Sequence, residues 1–336
     1  MGIARLRSLL VIALGALALS ACNSTTQSAP LAGVPSASIE VPLTSVGCTT
    51  TDTCLALGAS SATSGPTTLG EDRSAHGTWH PVRVPAAASA RLDELACART
   101  ACLAGGAQLS GDLLWRYRSA THAVTVLDPP PGGQGVRALA CASDTACVLI
   151  DVTSVVGAAR LSWTSDAGAT WTRPVAIPWS AHLTVTGVAC RSLTCVVVAT
   201  SGTHVSLEET SDAGLTWTPL AVSAQWRTMK DLHCWHSSCV ALVSGETSSL
   251  VRSRDFAATW TALALSSRTR AIACVHPTRC VAVGQSASGA GMVTTITERR
   301  VHDLALVYAP SVLFDAACGT SECAAIGAST LVALAP

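Results

Sequence analysis

Cysteine is the residue type whose number and spacing indicate specific chemistry in this chain. Of the 15 cysteines, Cys22 stands alone, and the others form close pairs: Cys48/Cys54, Cys97/Cys102, Cys141/Cys147, Cys190/Cys195, Cys234/Cys239, Cys274/Cys280 and Cys318/Cys323. Pairs at this spacing either form disulfides or ligate zinc, but structural zinc sites favour C-x-x-C spacing with two pairs per ion. We therefore predict disulfides, with zinc binding as the alternative, and we expect no resident metal or other cofactor.

The first 22 residues carry the features of an export signal. Arg5 and Arg7 precede an apolar stretch, residues 9–19, that is too short to span a bilayer comfortably. The sequence Leu-Ser-Ala-Cys22 follows, and the segment resembles a bacterial lipoprotein signal. The resemblance implies a signal peptide over 1–21 and a lipidated (palmitate-bearing) Cys22 that begins a tether over 22–37. The alternative is an ordinary signal peptide with an accidental cysteine.

This resemblance also predicts the location of the protein in the cell. A multiply acylated cysteine anchors stably to a membrane, so the rest of the protein is expected at the cell membrane or envelope, on the extracytoplasmic side. Disulfides persist in such a compartment, in agreement with the cysteine pairs.

Composition excludes some classes of function and favours strands. Lys+Arg and Asp+Glu are both 21, so the basic surplus that a nucleic-acid-binding protein needs is missing. Hydrophobic residues make up 49%, enough for a large core. Thr, Ser, Val, Gly and Ala dominate, which indicates many short strands and turns.

The cysteine pairs also mark an internal repeat of about 45 residues. A short apolar run follows the second cysteine, as in Cys280-Val-Ala-Val-Gly, so each pair is expected to bracket a tight loop between two strands. Four strands per repeat predict an all-β fold, a seven-bladed β-propeller over residues 38–336 with one intra-blade disulfide per blade. Residues 39–42 are expected to supply the outer strand of the last blade, a 3+1 closure. An open stack of β-repeats is the alternative.

Three repeats share a turn motif that carries a family resemblance. The segments are Thr164–Trp171, Thr210–Trp217 and Ser253–Trp260, and they match the Asp-box pattern S/T-x-D-x-G-x-T-W. The chain thus resembles bacterial BNR/Asp-box propeller lipoproteins, of the sialidase-like and photosystem II assembly-factor-like superfamily. Ala257 occupies the glycine position of the third segment, and we expect it to distort that turn.

The resemblance implies a non-catalytic, lipid-anchored binding or assembly scaffold. It would present one propeller face to an envelope protein or a glycan, as a monomer. A sialidase uses a Tyr nucleophile with a Glu and an arginine triad, but this chain has only Tyr117 and Tyr308, neither in such a setting. No carboxylate stands out from the turn chemistry, so no catalytic residue is predicted. The alternative is a glycan-active, sialidase-like hydrolase or a lectin.

Five residues are candidates for a binding face. Arg137, Lys230 and Arg270 each lie four residues before the first cysteine of a pair, where strands should meet the central channel. They either attract an anionic ligand or simply solvate the strand starts, with nearby carboxylates neutralising them. Trp179 and Trp226 lie in connections between blades, where they either anchor a partner or a sugar, or pack beneath the loop.

Overall fold

A computed structural model describes residues 42–58, 69–72, 79–82, 91–153, 158–180, 182–245, 247–266, 268–298, 300–305, 312–328 and 330–334. The predicted signal peptide and tether lie outside these ranges. The described residues are mostly in strands, and their one helical element is a 3-10 turn at Pro178–Ser180. The predicted all-β class is therefore confirmed. Within these ranges there is no helix with the length and apolar character needed to cross a membrane.

The strands form antiparallel sheets in chain order. The first three sheets are β1 (Leu43–Cys48), β2 (Cys54–Gly58), β3 (Leu69–Asp72), β4 (Trp79–Val82); β5 (Arg91–Cys97), β6 (Ala101–Gln108), β7 (Gly111–Arg118), β8 (Ala123–Leu127); and β9 (Val136–Cys141), β10 (Cys147–Val152), β11 (Ala159–Thr164), β12 (Val175–Ala176). The next three are β13 (Thr184–Arg191), β14 (Thr194–Thr200), β15 (Val205–Thr210), β16 (Thr218–Pro219); β17 (Thr228–Trp235), β18 (Ser238–Ser244), β19 (Ser248–Ser253), β20 (Thr261–Ala264); and β21 (Thr269–His276), β22 (Arg279–Gln285), β23 (Gly291–Ile296), β24 (Val301–Ala305). The last sheet is β25 (Leu313–Cys318), β26 (Cys323–Gly327), β27 (Leu331–Leu334).

The sheets are arranged in a ring. The first strand of each sheet packs against the first strand of the next, in the order β1, β5, β9, β13, β17, β21 and β25, and β25 packs against β1. Radial sheets around a common axis make a β-propeller, as predicted. The first strands surround the axis, so their side chains are the ones that can meet there.

The predicted count of seven blades is wrong. Six sheets are four-stranded blades, and the sheet β25–β27 has only three strands. In the described part of the chain β27 pairs only with β26. Of the segment expected to complete it, only Pro42 is described, and Pro42 is not in a strand. The predicted 3+1 closure is therefore not a feature of the described structure.

Hydrogen bonds between first and last sheets close the ring instead. The Leu43 N–H donates to the Ala328 carbonyl at 3.2 Å, and the Val46 N–H donates to Asp315 Oδ2 at 2.9 Å. On the next loop, the Asp52 carboxylate accepts bonds from the Ser321 N–H at 2.9 Å and the Ser321 hydroxyl at 2.8 Å. Backbone and side-chain hydrogen bonds therefore join the two ends of the described ring.

Removing the Asp52 carboxylate tests this closure. Asp144 makes the same kind of link between two inner blades, accepting bonds from the Thr100 N–H at 2.7 Å and the Thr100 hydroxyl at 2.6 Å. We expect Asp52→Ala and Asp144→Ala each to lower the free energy of unfolding by about 0.5–1.5 kcal/mol, because each loses hydrogen bonds that join two sheets. Urea unfolding measures both. An effect of Asp144→Ala without one of Asp52→Ala would contradict the closure.

Each disulfide joins the first and second strands of one sheet. The bridges are Cys48–Cys54, Cys97–Cys102, Cys141–Cys147, Cys190–Cys195, Cys234–Cys239, Cys274–Cys280 and Cys318–Cys323. The strand after each bridge is largely buried, as in β2, where every residue is buried. Burial on both faces explains why these strands are apolar runs without alternation.

The Asp-box segments fold as hydrogen-bonded turns. In the first, Asp166 accepts bonds from the Thr170 N–H at 2.8 Å and the Thr170 hydroxyl at 2.6 Å. The segments that begin at Thr210 and Ser253 repeat these bonds. Ala257 takes the left-handed conformation of the missing glycine, with φ of 71°, and its N–H bonds to Ser253 Oγ at 2.8 Å. The expected distortion of the third turn is therefore wrong.

Candidate binding site at the propeller axis

A β-bulge interrupts the first strand of each sheet. In β5, Leu92 pairs with Gly106 and Glu94 pairs with Gly105, so Asp93 has no partner opposite it. Arg137 is skipped in the same way in β9, and Arg270 in β21. A bulge re-aims the side chains beside it. Two of the predicted cations therefore lie at bulges, and Lys230 is the last paired residue before the bulge of β17.

Three carboxyl groups lie at equivalent positions in three of the first strands. Glu94 in β5, Asp231 in β17 and Asp315 in β25 each lie three residues before the first cysteine of their sheet. In ring order β17 follows β5 by three steps, β25 follows β17 by two, and β5 follows β25 by two. These residues, here called the axial carboxyl cluster, therefore surround the axis from all sides.

Two members of the axial carboxyl cluster tie neighbouring strands together. Asp315 accepts the Val46 N–H on one oxygen and the N–H of Ala316 on the other, both at 2.9 Å. Asp231 Oδ2 accepts the N–H of Ile272 in the next sheet at 2.9 Å. These two carboxyl groups therefore have structural partners.

Glu94, the third member, has no hydrogen-bond partner among the described residues. Its side chain is surrounded by protein yet partly accessible to water, as expected for a group that lines the axis. Burial raises the pKa of Glu94 to about 8, helped by the negative charges of Asp315, Asp93 and Asp231 and opposed by Arg137. Glu94 is therefore largely protonated at neutral pH.

The other titratable groups at the axis are shifted in the same sense. Burial, with the charge of Asp231, raises the pKa of Asp315 to about 7. Burial also raises the pKa of Asp231, against the charge of Lys230, and lowers the pKa of His233. All these shifts disfavour charge, as expected inside the ring. In the part of the chain that the structure describes, no three His, Cys, Asp or Glu side chains lie close enough to hold a metal ion.

The structure brings two of the three predicted cations to this cluster. Arg137 lies close enough to Glu94 to oppose the rise of its pKa, and Lys230 does the same for Asp231. Arg270 is exposed at its bulge in β21. From the sequence, these carboxyl groups were interpreted only as charges that neutralise the cations. The signal that identifies them is their shared offset from the first cysteine.

The two predicted tryptophans pack against Asp-box tryptophans. The Trp179 ring lies edge-to-face on Trp217 at 5.7 Å, and Trp226 lies likewise on Trp260 at 6.2 Å. Both rings therefore have a packing partner within the protein, and the indole N–H of Trp179 is buried. Trp226 also lines an open pocket of about 480 Å³, beside residues that include Thr203, Gln225 and Arg227.

A second buried network of charges lies away from the axis. Arg160 donates two bonds to Asp151, at 2.8 and 2.7 Å, and a third to the Pro131 carbonyl at 3.1 Å. Asp112 accepts the N–H of Gly135 at 2.6 Å. Burial and the charge of Asp151 raise the pKa of Asp112 to about 7. A protonated Asp112 can then donate to Asp151. No local sequence motif predicts this network.

Asp112 makes stability depend on pH. Its pKa is raised by folding, so its favourable contribution is complete below its unfolded pKa and is lost as the pH rises through about 7. We expect Asp112→Asn to increase the free energy of unfolding at pH about 8, by at least about 1 kcal/mol, because an amide donates to Asp151 without titrating. Urea unfolding at pH about 5 and about 8 measures this. An unchanged pH dependence would contradict it.

Comparison with known proteins defines the fold. No family model matches the chain, and no curated protein does. Among solved structures, YCF48 bound to D1 peptide is 15% identical, with a TM-score of 0.60 over 90% of this chain and 94% of that chain. YCF48 from Cyanidioschyzon merolae is 13% identical, with a TM-score of 0.59 over 90% and 97%. The chain is a β-propeller. The GH74 enzyme of Niastella koreensis, 10% identical, matches this propeller too, with a TM-score of 0.61 over 87% of this chain and 52% of that enzyme. At such identities the likeness extends to the fold alone.

Proposed function

We propose that this propeller is a non-catalytic binding module that takes a segment of a partner protein at its axis. The observation that carries the proposal is the unpartnered carboxyl group of Glu94, enclosed by the ring of first strands. A carboxyl group that lines the axis without a protein partner is available to accept a hydrogen bond from a ligand or to donate one to it. A propeller of the same fold, YCF48, has been solved with a D1 peptide bound, which supports a protein segment as the ligand.

The partners of the axial carboxyl cluster favour binding over catalysis. Hydrolysis of a glycosidic bond commonly takes two carboxyl groups free to act, one as acid and one as base or nucleophile. Both oxygens of Asp315 and one of Asp231 accept backbone N–H groups, so Glu94 is the member of the cluster with both carboxyl oxygens free of such bonds among the described residues.

The raised pKa of Glu94 is the one observation that favours a glycan-active hydrolase, since a general acid needs such a pKa. A panel of chromogenic glycosides tests this second candidate. We expect no turnover by the wild-type protein. Turnover that is lost in Glu94→Gln would replace the binding proposal with catalysis.

Site-specific crosslinking in cells tests the binding proposal. A photo-crosslinking amino acid replaces Arg270, exposed at an axial bulge, or, as a control, Leu215, which is 72% exposed on an Asp-box turn. We expect one protein to be crosslinked from position 270 and not from position 215. The yield at 270 should fall when Glu94→Gln is added. Equal crosslinking from both positions, or none from 270, would refute axial binding.

We further propose that lipidated Cys22 anchors the protein through its tether to the extracytoplasmic side of a membrane, so that the partner is an envelope protein. The disulfides support this compartment, because they persist outside the reducing cytosol. Two or three acyl chains are enough for stable anchoring. In detergent phase separation of cell extracts, the wild-type protein should enter the detergent phase and Cys22→Ser the aqueous phase. Identical partitioning would contradict the anchor.

A further inference from the structure

The electrostatic environment of Glu94 is negative. Its own strand contributes Asp93, strand β17 contributes Asp231 and strand β25 contributes Asp315; all three raise its pKa. The one cation that opposes them is Arg137 on β9. Three carboxyl groups against one guanidinium favour a positive charge at this point over a negative one.

The rest of the ring adds little charge at this level. The positions equivalent to Glu94 are Ser45, Ala138, Gly187 and Ala271 in the remaining first strands, none of them ionisable. Two cations partly offset the neighbouring carboxylates, since Arg91 pairs with Asp93 at 2.6 Å and Lys230 acts on Asp231. Neither is among the groups that act on Glu94 itself.

Two further basic groups do not reverse this balance. His233 is an exposed residue of β17, and its pKa is lowered rather than raised. Arg270 lies exposed at the bulge of β21. Neither is among the groups that act on Glu94, so the negative environment of its carboxyl group stands.

We propose that the axis receives a basic side chain, lysine or arginine, of the partner segment, whose cationic group hydrogen-bonds to the carboxylate of Glu94. The inference rests on the proposed function and specifies its ligand. A cation gives the unpartnered carboxyl group a partner and offsets the repulsion among Asp93, Asp231 and Asp315. A carboxylate ligand would add one more negative charge to the same enclosed space, at a cost.

Binding of the cation is coupled to loss of a proton. The basic side chain arrives protonated, the Glu94 carboxyl group releases its proton to solvent, and the resulting carboxylate accepts an N–H bond from the ligand. Because the pKa of free Glu94 is about 8, up to one proton leaves per ligand bound below that pH. The affinity is therefore expected to rise by up to about tenfold per pH unit and to level off above pH about 8.

A peptide array tests the inference. An array of synthetic peptides of varied sequence is probed with the purified full-length protein, and the strongest binder is remade with norleucine at each basic position. We expect one such replacement to weaken binding at least about tenfold, because the ion-paired hydrogen bond is lost. Titration calorimetry in two buffers of different ionisation enthalpy should show proton release below pH about 8.

Matched variants assign the effect to the axis. Glu94→Gln should bind the peptide at least about tenfold more weakly and with a weaker pH dependence, because the amide cannot ionise and Asp315 is then the group of the cluster that titrates at pH about 7. Glu209→Gln removes a carboxyl group on β15, outside the axial carboxyl cluster, and should behave as the wild type. If Glu94→Gln fails to fold, the pH dependence of binding by the wild-type protein and the affinities of the norleucine peptides still show whether the ligand binds through a basic side chain.

The outcomes separate the inference from the proposed function. Peptides that bind through acidic residues, or an affinity that falls as the pH rises, would overturn the basic side chain and leave peptide binding intact. The absence of any peptide binding, together with no crosslink from position 270, would overturn the binding module itself.

Discussion

Reduction of the disulfides is expected to unfold most of the propeller at room temperature. Each bridge closes a loop with a sequence separation of 5 or 6 residues. The chain-entropy relation gives about 2 kcal/mol for such a loop, so the seven bridges together are comparable with the whole stability of a typical domain, about 5–15 kcal/mol. Tryptophan fluorescence and circular dichroism, with and without a phosphine reductant, measure the change.

A single bridge provides the control for this experiment. Cys141→Ser combined with Cys147→Ser removes one loop and should cost about 2 kcal/mol, with the other bridges keeping the protein folded. The fully reduced chain should lose both its tertiary fluorescence signal and its cooperative unfolding transition. A reduced protein with the unfolding midpoint of the oxidised one would show that the bridges contribute no stability.

Raising the pH is expected to destabilise the wild-type propeller, and Glu94→Gln is expected to remove much of this loss. The pKa of Glu94 is raised by folding from its ordinary value of 4.5 to about 8. Its contribution to stability is therefore complete below pH about 4.5 and is lost progressively as the pH rises to about 8, a difference of several kcal/mol. Asp315, whose folded pKa is about 7, adds a loss of the same sign.

Urea unfolding across pH, with matched variants, measures this effect. Glu94→Gln should be more stable than the wild type at pH about 9 and close to it at pH about 4. Glu209→Gln, which changes a carboxyl group outside the axial carboxyl cluster, should keep the wild-type dependence. A Glu94→Gln variant that gains nothing at the higher pH would mean that Glu94 ionises freely in the folded protein.

Features that depend on neighbours in sequence were predictable. The cysteine pairs lie on adjacent paired residues at the ends of two strands, so their spacing alone predicts a bridge, as for Cys147 opposite Cys141. The number of complete blades was not predictable in this way. The sheet β25–β27 has three strands, and a fourth would need pairing with a distant part of the chain. Such long-range pairing leaves little local signal.

The axial carboxyl cluster was missed because its pattern is irregular. The position three residues before the first cysteine holds an acid in β5, β17 and β25, but serine, alanine or glycine in the other first strands. The raised pKa values depend on the ring, which encloses these groups and brings distant strands together. Asp112, Asp151 and Arg160 likewise meet across two neighbouring blades.

The most direct test of the account is the pKa of Glu94 in the free protein. Carboxyl-carbon NMR of glutamate-labelled protein, with Glu94→Gln to assign the resonance, gives this value by pH titration. The structure predicts a pKa of about 8, and the bound basic peptide should lower it. A pKa near 4.5, the ordinary value, would show that Glu94 is neither enclosed nor surrounded by negative charge, and would contradict the axial binding site.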